Sequence, residues 1–535
     1  MPPIRQRLTG ESRVWLTAMG LSVGLAMVAT LLGVVGWYGI GVFWPKRVVE
    51  YRVTEDGKTS QVAGVVVQRR TKIGSKGEPI EEIQLYTGNR ETYGLAFRYL
   101  AVPSLEEAPA PQNLLLVERV ENGNLIAYPN QLTSLGGDSM KAEDPAFTAR
   151  LHTLLDEIAD RREEIYALER HEIGELSRQL NEMRRAKQEG DAPAIADLER
   201  RSSELVAKAK ELRKRQNEHA LAVTLPTGEK KRYSLEKLID AYYPNQLGTM
   251  ERVGRFCHNM WNFASQRPRE SNTEGGIWPA IFGTFFMTIL MSVAVVPFGV
   301  ITAIYLREYA KQGPMVRSVR IAINNLAGVP SIVFGVFGVG FFVYFVGANV
   351  DHWFFSNKLP EPTYGTGGIL WASLTLALMT VPVVIVATEE AISAVPRGAR
   401  EGSLACGASK WQTIQRIILP ASVPGILTGL ILAMARGAGE VAPLMLVGVV
   451  KLAPTLTIDG TWQSEDLIPF VHLHQKFMHL GFHIYDLGFQ SPDSDAARPM
   501  VFATTLLLIL LVLVLNLTAI LMRDRLRRRF AIAAF

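Results

Sequence analysis

The stretch GGIWPAIFGTFFMTILMSVAVVPFGVITAIYL, residues 275–306, holds no charged side chain. It is longer than the roughly 20 residues an α-helix needs to cross about 30 Å of hydrocarbon. Alone, such a run is equally a buried core helix. Five further stretches that lack almost all charge settle the choice: Val14–Trp44, Ile321–Val350, Thr363–Thr388, Ala421–Val450 and Pro499–Met522. Charge is concentrated between them. The chain therefore reads as an all-α polytopic membrane domain of six transmembrane helices: a first span within residues 1–45, and a five-helix core over 275–522.

Lys and Arg in the connections set the expected orientation. With a cytoplasmic N-terminus, the inside segments hold Arg5, Arg7, Arg13, Arg307, Lys311, Arg317, Arg320, Arg397, Arg400, Lys410 and Arg416. The tail 523–535 adds Arg523, Arg525, Arg527, Arg528 and Arg529, making 16 basic residues. The short outside loops hold only 4, Lys358, Lys451, Lys476 and Arg498. Both termini are thus expected on the cytoplasmic side. The net charge of +5 then reports topology, and no nucleic-acid partner is needed to explain it. The first span is too long for a cleaved leader. It ends on Trp37, Tyr38, Phe43 and Trp44, rings suited to a membrane–water interface, so it is expected to be retained. Cys257 and Cys406 fall on opposite sides of the membrane in this topology and are expected to serve packing.

Between the first two spans lies a polar insertion, 46–248, expected outside the cytoplasm together with the following linker to 274. Its start alternates like strands around Tyr51–Val53, Gln61–Gln68 and Ile83–Tyr86. After Pro145 the apolar period lengthens through Leu151, Leu154, Ile158, Ile165, Leu168, Leu176, Leu180 and Met183, with a skip near Ile173. The pattern breaks over Gln188–Pro193 and resumes at Ile195, Leu198, Leu205, Ala209 and Leu212. Two charged helices with narrow apolar seams predict an antiparallel coiled-coil hairpin over about 147–215 on a β-rich base, an α+β extracytoplasmic domain. The pentapeptide Tyr-Pro-Asn-Gln-Leu occurs at 128–132 and again at 243–247, and reads as matching turns at the hairpin's base. Residues 249–274 carry Met250, Val253, Phe256, Met260 and Phe263 on one helical face, as an interfacial helix would.

Inside the fifth span stand Arg436 and Glu440, and a charge there costs on the order of 2.5–3.5 kcal/mol on insertion scales. Spacing of i, i+4 puts both on one helical face. Either they are a self-contained structural ion pair, or Arg436 offers its guanidinium fork to a passing oxyanion while Glu440 holds it between events. Pro330-Ser331 breaks the third span and frees a helix N-terminus there. The outside loop 451–498 holds His472, His474, His479 and His483 without any Cys and in no familiar ligand order. They are expected as solvated or interfacial side chains, with no metal site.

The inside loop 389–420 contains Arg400-Glu-Gly-Ser-Leu-Ala-Cys-Gly-Ala-Ser-Lys-Trp-Gln-Thr-Ile-Gln-Arg-Ile-Ile-Leu-Pro420. This resembles the cytoplasmic loop of ABC importer permeases, patterned E-A-A, three residues, G, nine residues, I-x-L-P. Glu401, Gly407, Ile417, Leu419 and Pro420 take the fixed positions, with Gly402 and Ser403 in place of the two alanines. The run Ala435-Arg-Gly-Ala-Gly-Glu-Val-Ala-Pro-Leu444 is similar to that of PstA-type phosphate permeases, with Val441 where Thr is usual. Gly328-Val-Pro-Ser-Ile-Val-Phe-Gly335 resembles their V-P-S-I-V segment.

The resemblance implies a short helix that docks on a partner ATPase, with Gly407 at its turn and Pro420 starting the next span. It implies a phosphate pathway past Arg436, Glu440 and Ser331. It also implies a bacterial inner-membrane complex with a PstC-like sister permease, a PstB-like ATPase dimer and a PstS-like phosphate-binding protein. No G-x-x-x-x-G-K-[ST] loop occurs in the chain, so ATP and Mg²⁺ are expected on the partner, and the chain is expected to be a transport subunit that binds no cofactor. Two other readings stay open: a permease for another oxyanion, a sugar or a peptide, and a membrane sensor with the coiled coil as receiver. Neutral cargo leaves Arg436 without a task, and a sensor leaves the loop 389–420 without one.

Overall fold

The computed structural model describes residues 12–55, 58–73, 79–102, 105–108, 110–134, 139–186, 192–453, 455–459, 466–491 and 494–532. Arg5, Arg7 and most of the break over Gln188–Pro193 lie outside them. Among the described residues, six helices are long and apolar enough to cross a membrane: Trp15–Gly41, Trp278–Tyr309, Ser331–Phe354, Ile369–Ser393, Lys410–Gly439 and Ala497–Arg528.

The fourth span is the most enclosed and the first and sixth are peripheral. In hydrocarbon, helices gain by close packing of small residues. Gly425 and Gly429 of the fifth span rest on Ala391 and Ala387 of the fourth, and a Cβ at Gly429 would stand 2.6 Å from the Ala387 methyl. Gly299 of the second span lies against Val384 in the same way. The first span leans on the sixth, where the Tyr38 and Phe502 rings stack at 5.2 Å.

Two spans begin elsewhere than hydropathy predicts. Residues 321–326 close a separate amphipathic helix, Pro314–Leu326, and the third span starts at Ser331. Pro330 has no N–H to give and disfavours helical backbone before it, so the chain turns there. The fifth span starts at Lys410, and Pro420 sits within the helical run instead of opening it. The wide π turn Ile414–Ile418 just before Pro420 accommodates the ladder bond that proline cannot make. At its other end this span stops at Gly439, and Ala442–Val447 is a separate short helix.

The insertion is richer in strand than a small base requires. Strands β1 (Val48–Glu55), β2 (Lys58–Ile73), β3 (Pro79–Tyr86), β4 (Phe97–Ala101) and β5 (Leu105–Ala108) form an antiparallel sheet in the order β4-β3-β2-β1-β5. Strands β6 (Leu115–Arg119), β7 (Leu125–Thr133), β8 (Ser139–Lys141), β9 (Ala220–Thr224), β10 (Lys230–Ser234) and β11 (Leu238–Tyr242) form a second, ordered β10-β9-β7-β6-β11 with β8 on β7. Phe147, Leu151, Leu154 and Ile158 at the root of a helical hairpin pack on this sheet with Leu125, Leu132 and Leu221.

The hairpin arms run Phe147–Ala186 and Ala192–Gln216, antiparallel, cross-linked by Lys208–Glu164, Arg213–Glu169 and Arg184–Glu199 pairs. The skip in the apolar seam is a π turn, Leu168–Ile173, whose extra residue shifts the face. The repeated pentapeptide does not form matching turns: 128–132 lies in β7 with a bulge between Pro129 and Gln131, and 243–247 is a turn. Helix Thr249–Ser265 joins the insertion to the membrane domain. Its Arg255 pairs with Asp240 and Glu118, while Phe263 and Phe256 pack on Phe43 and Trp44. Both cysteines are exposed, contrary to a packing role, because each sits on an uncovered helix surface.

Candidate functional site

Gly437 lies against Met291, near the middle of the second span, so the end of the fifth span falls at mid-membrane depth. Arg436 occupies the last helical turn. Glu440 follows the helix end in extended backbone, φ −78° and ψ 137°, and so does not share a helical face with Arg436 as its spacing predicts. The two remain an ion pair, Arg436 Nε to Glu440 Oε1 at 3.6 Å. That distance is too long for a hydrogen bond. The Arg436 side chain makes none among the described residues and stays 34 % exposed. A partly open guanidinium at this depth keeps its planar donor fork free.

The third span runs beside this break. Gly335 lies against Pro443, and Gly338 against Val447, in the same chain order, so the third span and the helix Ala442–Val447 are parallel. Ser331 opens its span behind Pro330, whose carbonyl accepts the Val333 N–H at 3.0 Å, leaving the Ser331 and Ile332 N–H groups without a helical acceptor. The structure thus brings Arg436 and Glu440 together, and among the described residues no hydrogen bond or ion pair joins Ser331 to either. Val441, which stands where the similar run usually has Thr, packs on Gly481.

Gly481 belongs to a loop that sequence reasoning placed in solvent. Leu480 N–H donates to Thr284 Oγ1 at 2.8 Å, so residues 477–485 re-enter beside the second span. His472 and His479 are fully buried and His483 is 2 % exposed, a correction to the solvated or interfacial side chains expected there. His472 lies between Asp459 and Asp466, each at 2.8 Å. Burial pushes His479 down to about 3 and His483 down to about 4.

On the other side of the membrane, helix Arg397–Ala405 ends in a Schellman turn. Gly407 N–H donates to Leu404 O at 2.9 Å and Ala408 N–H to Ser403 O at 3.2 Å, with Gly407 at φ +83°. Ser409 then caps the next helix in a reciprocal box with Gln412. Glu401 is exposed, as is Ile417, while Leu419 and Pro420 are half-buried. Helix Arg397–Ala405 buries no residue, and Leu404 and Trp411 are 50 % and 57 % exposed. Among the described residues, no other part of the chain buries that surface. Sequence reasoning passed over Glu308, Arg320 and Glu389 at the same end, where Arg320 pairs with Glu389 at 3.1 Å and Glu308 with Arg400 at 2.9 Å. Their only signal was charge beside span ends.

Six spans, a charged break at mid-membrane depth and an uncovered helix on the opposite end define a polytopic transport permease rather than an enzyme. The family model described as "Binding-protein-dependent transport system inner membrane component" matches residues 295–532. The probable ABC transporter permease protein YqgI of Bacillus subtilis is 30 % identical over 277 residues, covering 50 % of this chain and 87 % of that protein. The phosphate transport system permease protein PstA of Yersinia pestis is 33 % identical over 259 residues, covering 48 % of this chain and 75 % of its own. PstA of Mycobacterium leprae is 33 % identical over 222 residues, with 41 % and 66 % covered. The chain belongs to the family of binding-protein-dependent ABC importer permeases. It is a multi-pass inner-membrane transport component whose family works with a separate ATPase and a substrate-binding protein.

Proposed function

We propose that this chain is the phosphate-translocating permease subunit of an ATP-driven importer. The observation that carries the reading is Arg436: a guanidinium at mid-membrane depth, paired only loosely with Glu440 and without a hydrogen bond among the described residues. A bidentate fork of this kind suits a phosphate oxyanion and leaves a neutral solute unrecognised. The PstA names of the relatives support the same cargo. Glu440 holds Arg436 in the empty state. Phosphate then replaces it, and the first amides behind Pro330 at Ser331 offer further donors along the pathway.

Both termini face the cytoplasm in this account and residues 46–274 face the periplasm, as the distribution of Lys and Arg favours. A PstC-like sister permease completes the pathway, and a PstS-like binding protein delivers phosphate from outside. A PstB-like ATPase dimer holds ATP and Mg²⁺. It receives the surface of helix Arg397–Ala405, with Glu401 outermost and Gly407 setting the turn. Leu419, Pro420 and Ile417 continue this surface into the fifth span. The hairpin of the insertion is an extracytoplasmic coiled coil. Affinity capture of the tagged chain from membranes tests the assembly. Recovery of a homologous permease and an ATPase is expected, and recovery of the chain alone contradicts the reading.

A further inference from the structure

Helix Arg397–Ala405 raises a mechanical problem. It buries no residue of its own, so apolar packing does not fix it to the spans it has to move. The attachment is instead polar: Ser403 Oγ meets the buried Thr413 Oγ1 at 3.0 Å at the start of the fifth span, and Arg400 makes the links to the other spans. Arg400 Nη1 pairs with Glu308 Oε1 at 2.9 Å, and Arg400 Nη2 donates to the carbonyl of Ile392. Glu308 lies at the end of the second span and Ile392 at the end of the fourth. One guanidinium therefore fastens the loop helix to two spans at once.

The partner groups are suited to the task. The last carbonyls of a helix have no intrahelical donor and carry the negative end of its dipole, so they accept from cations. The second span ends in a π turn, Tyr305–Tyr309, which turns its carbonyls outward. Gln312 Nε2 donates to Leu306 O at 3.0 Å, Arg320 Nη2 to the same oxygen at 3.5 Å, and Lys410 Nζ to Glu308 O. Lys410 also stands 5.0 Å over the Tyr309 ring. Glu308 thus receives Arg400 on its carboxylate and Lys410 on its carbonyl, from opposite ends of the loop segment. Its side chain is only 12 % exposed, so little solvent screens the pair.

We propose that Glu308 is the positioning residue through which movement of the loop helix reaches the second and fourth spans. Arg400 is its strut. The inference rests on the permease reading above and adds a residue to it. Glu308 touches neither substrate nor ATPase; it acts by holding Arg400 and Lys410. Loss of its charge leaves the loop helix attached to the ATPase but free to move without the spans.

The test uses the purified complex of this chain with its ATPase and sister permease, in lipid. Glu308→Gln is expected to retain the ATPase, and to lower hydrolysis stimulated by the phosphate-loaded binding protein at least tenfold. The exchange Glu308→Arg with Arg400→Glu is expected to restore at least a third of it. Stimulated hydrolysis within twofold of wild type in Glu308→Gln, loss of the ATPase from that complex, or an exchange no better than its single variants would overturn the proposal. A second readout needs no substrate. Spin labels at Ala405 and Ala394, in a chain with Cys257 and Cys406 replaced by serine, should give a narrow distance distribution that Glu308→Gln broadens and the exchange narrows again. An unchanged distribution overturns the strut. A wild-type complex that phosphate does not stimulate refutes the cargo reading and leaves the spin-label result to judge the strut by itself.

Discussion

Gly335 and Pro443 meet backbone to backbone: a Cβ added at Gly335 would stand 2.7 Å from the Pro443 Cα. The contact seats the third span against the short helix that follows the mid-membrane break. Gly335→Val must push backbone aside, since no flexible side chain can yield. Overpacking of this kind costs about 1–3 kcal/mol. A lower unfolding temperature in detergent and a greater loss of phosphate uptake than of protein in the membrane are expected. Wild-type values for both would show that the contact gives way cheaply.

The loose pairing of Arg436 with Glu440 predicts unequal effects of neutralising each. Arg436→Gln should eliminate phosphate uptake while the complex still assembles. Glu440→Gln should reduce uptake less, or raise ATP hydrolysis without matching transport. Equal, mild losses in both would mark the pair as structural.

Gly407 adopts φ +83°, a backbone region that costs a residue with a Cβ roughly 1–2 kcal/mol. Gly407→Asp should therefore distort the exit from helix Arg397–Ala405 without affecting the spans. Membrane insertion is expected to be normal, and substrate-stimulated ATP hydrolysis to be lost in the reconstituted complex. Normal stimulated turnover would remove Gly407 from the coupling account.

His479 and His483 lie outside the six spans yet are buried neutral, near pKa 3 and 4, against an ordinary value of about 6.5 in the unfolded chain. Because the folded value is depressed, the unfolded state binds protons first on acidification. The re-entrant loop's contribution is complete above about pH 6.5. It falls by on the order of 1 kcal/mol per histidine per pH unit as acidity increases toward pH 4. Thermal unfolding in detergent should shift downward over that window, and the double variant His479→Gln/His483→Gln should flatten the dependence. An identical pH profile in the double variant would assign the acid sensitivity elsewhere.

The insertion has its own buried clusters beneath each sheet, so residues 46–248 are expected to fold when expressed alone. The product should be soluble, with mixed helix and strand by circular dichroism and one cooperative melt. Insoluble or unfolded product would tie its stability to the pairs that Arg255 and Glu270 make across the junction.

The spans were legible because hydropathy over a membrane's thickness is a strong, local signal. Their ends were less so. Residues 321–326 carry no charge, so they read as the start of a span, but they belong to an amphipathic helix with Asn324 and Asn325; Pro330 decides where the turn falls and charge does not record it. The i, i+4 spacing of Arg436 and Glu440 correctly paired them and missed the helix end between them, which follows from packing on the third span. The two copies of Tyr-Pro-Asn-Gln-Leu show the limit plainly. In one, Asn130 lies in a strand and bonds Thr224. In the other, Asn245 sits in a turn and bonds Val48 and Pro111. Identical local chemistry took its conformation from distant partners. The buried histidines were misread for the same reason, as only the return of residues 477–485 against the second span encloses them.

Transport itself tests the central claim most directly. Proteoliposomes holding this chain, its sister permease and its ATPase should be supplied with the binding protein outside and ATP inside. Radiolabelled phosphate should accumulate only when ATP is present, and at least tenfold less with Arg436→Gln. Accumulation of a neutral solute in place of phosphate, or phosphate uptake that Arg436→Gln leaves unchanged, would contradict the account.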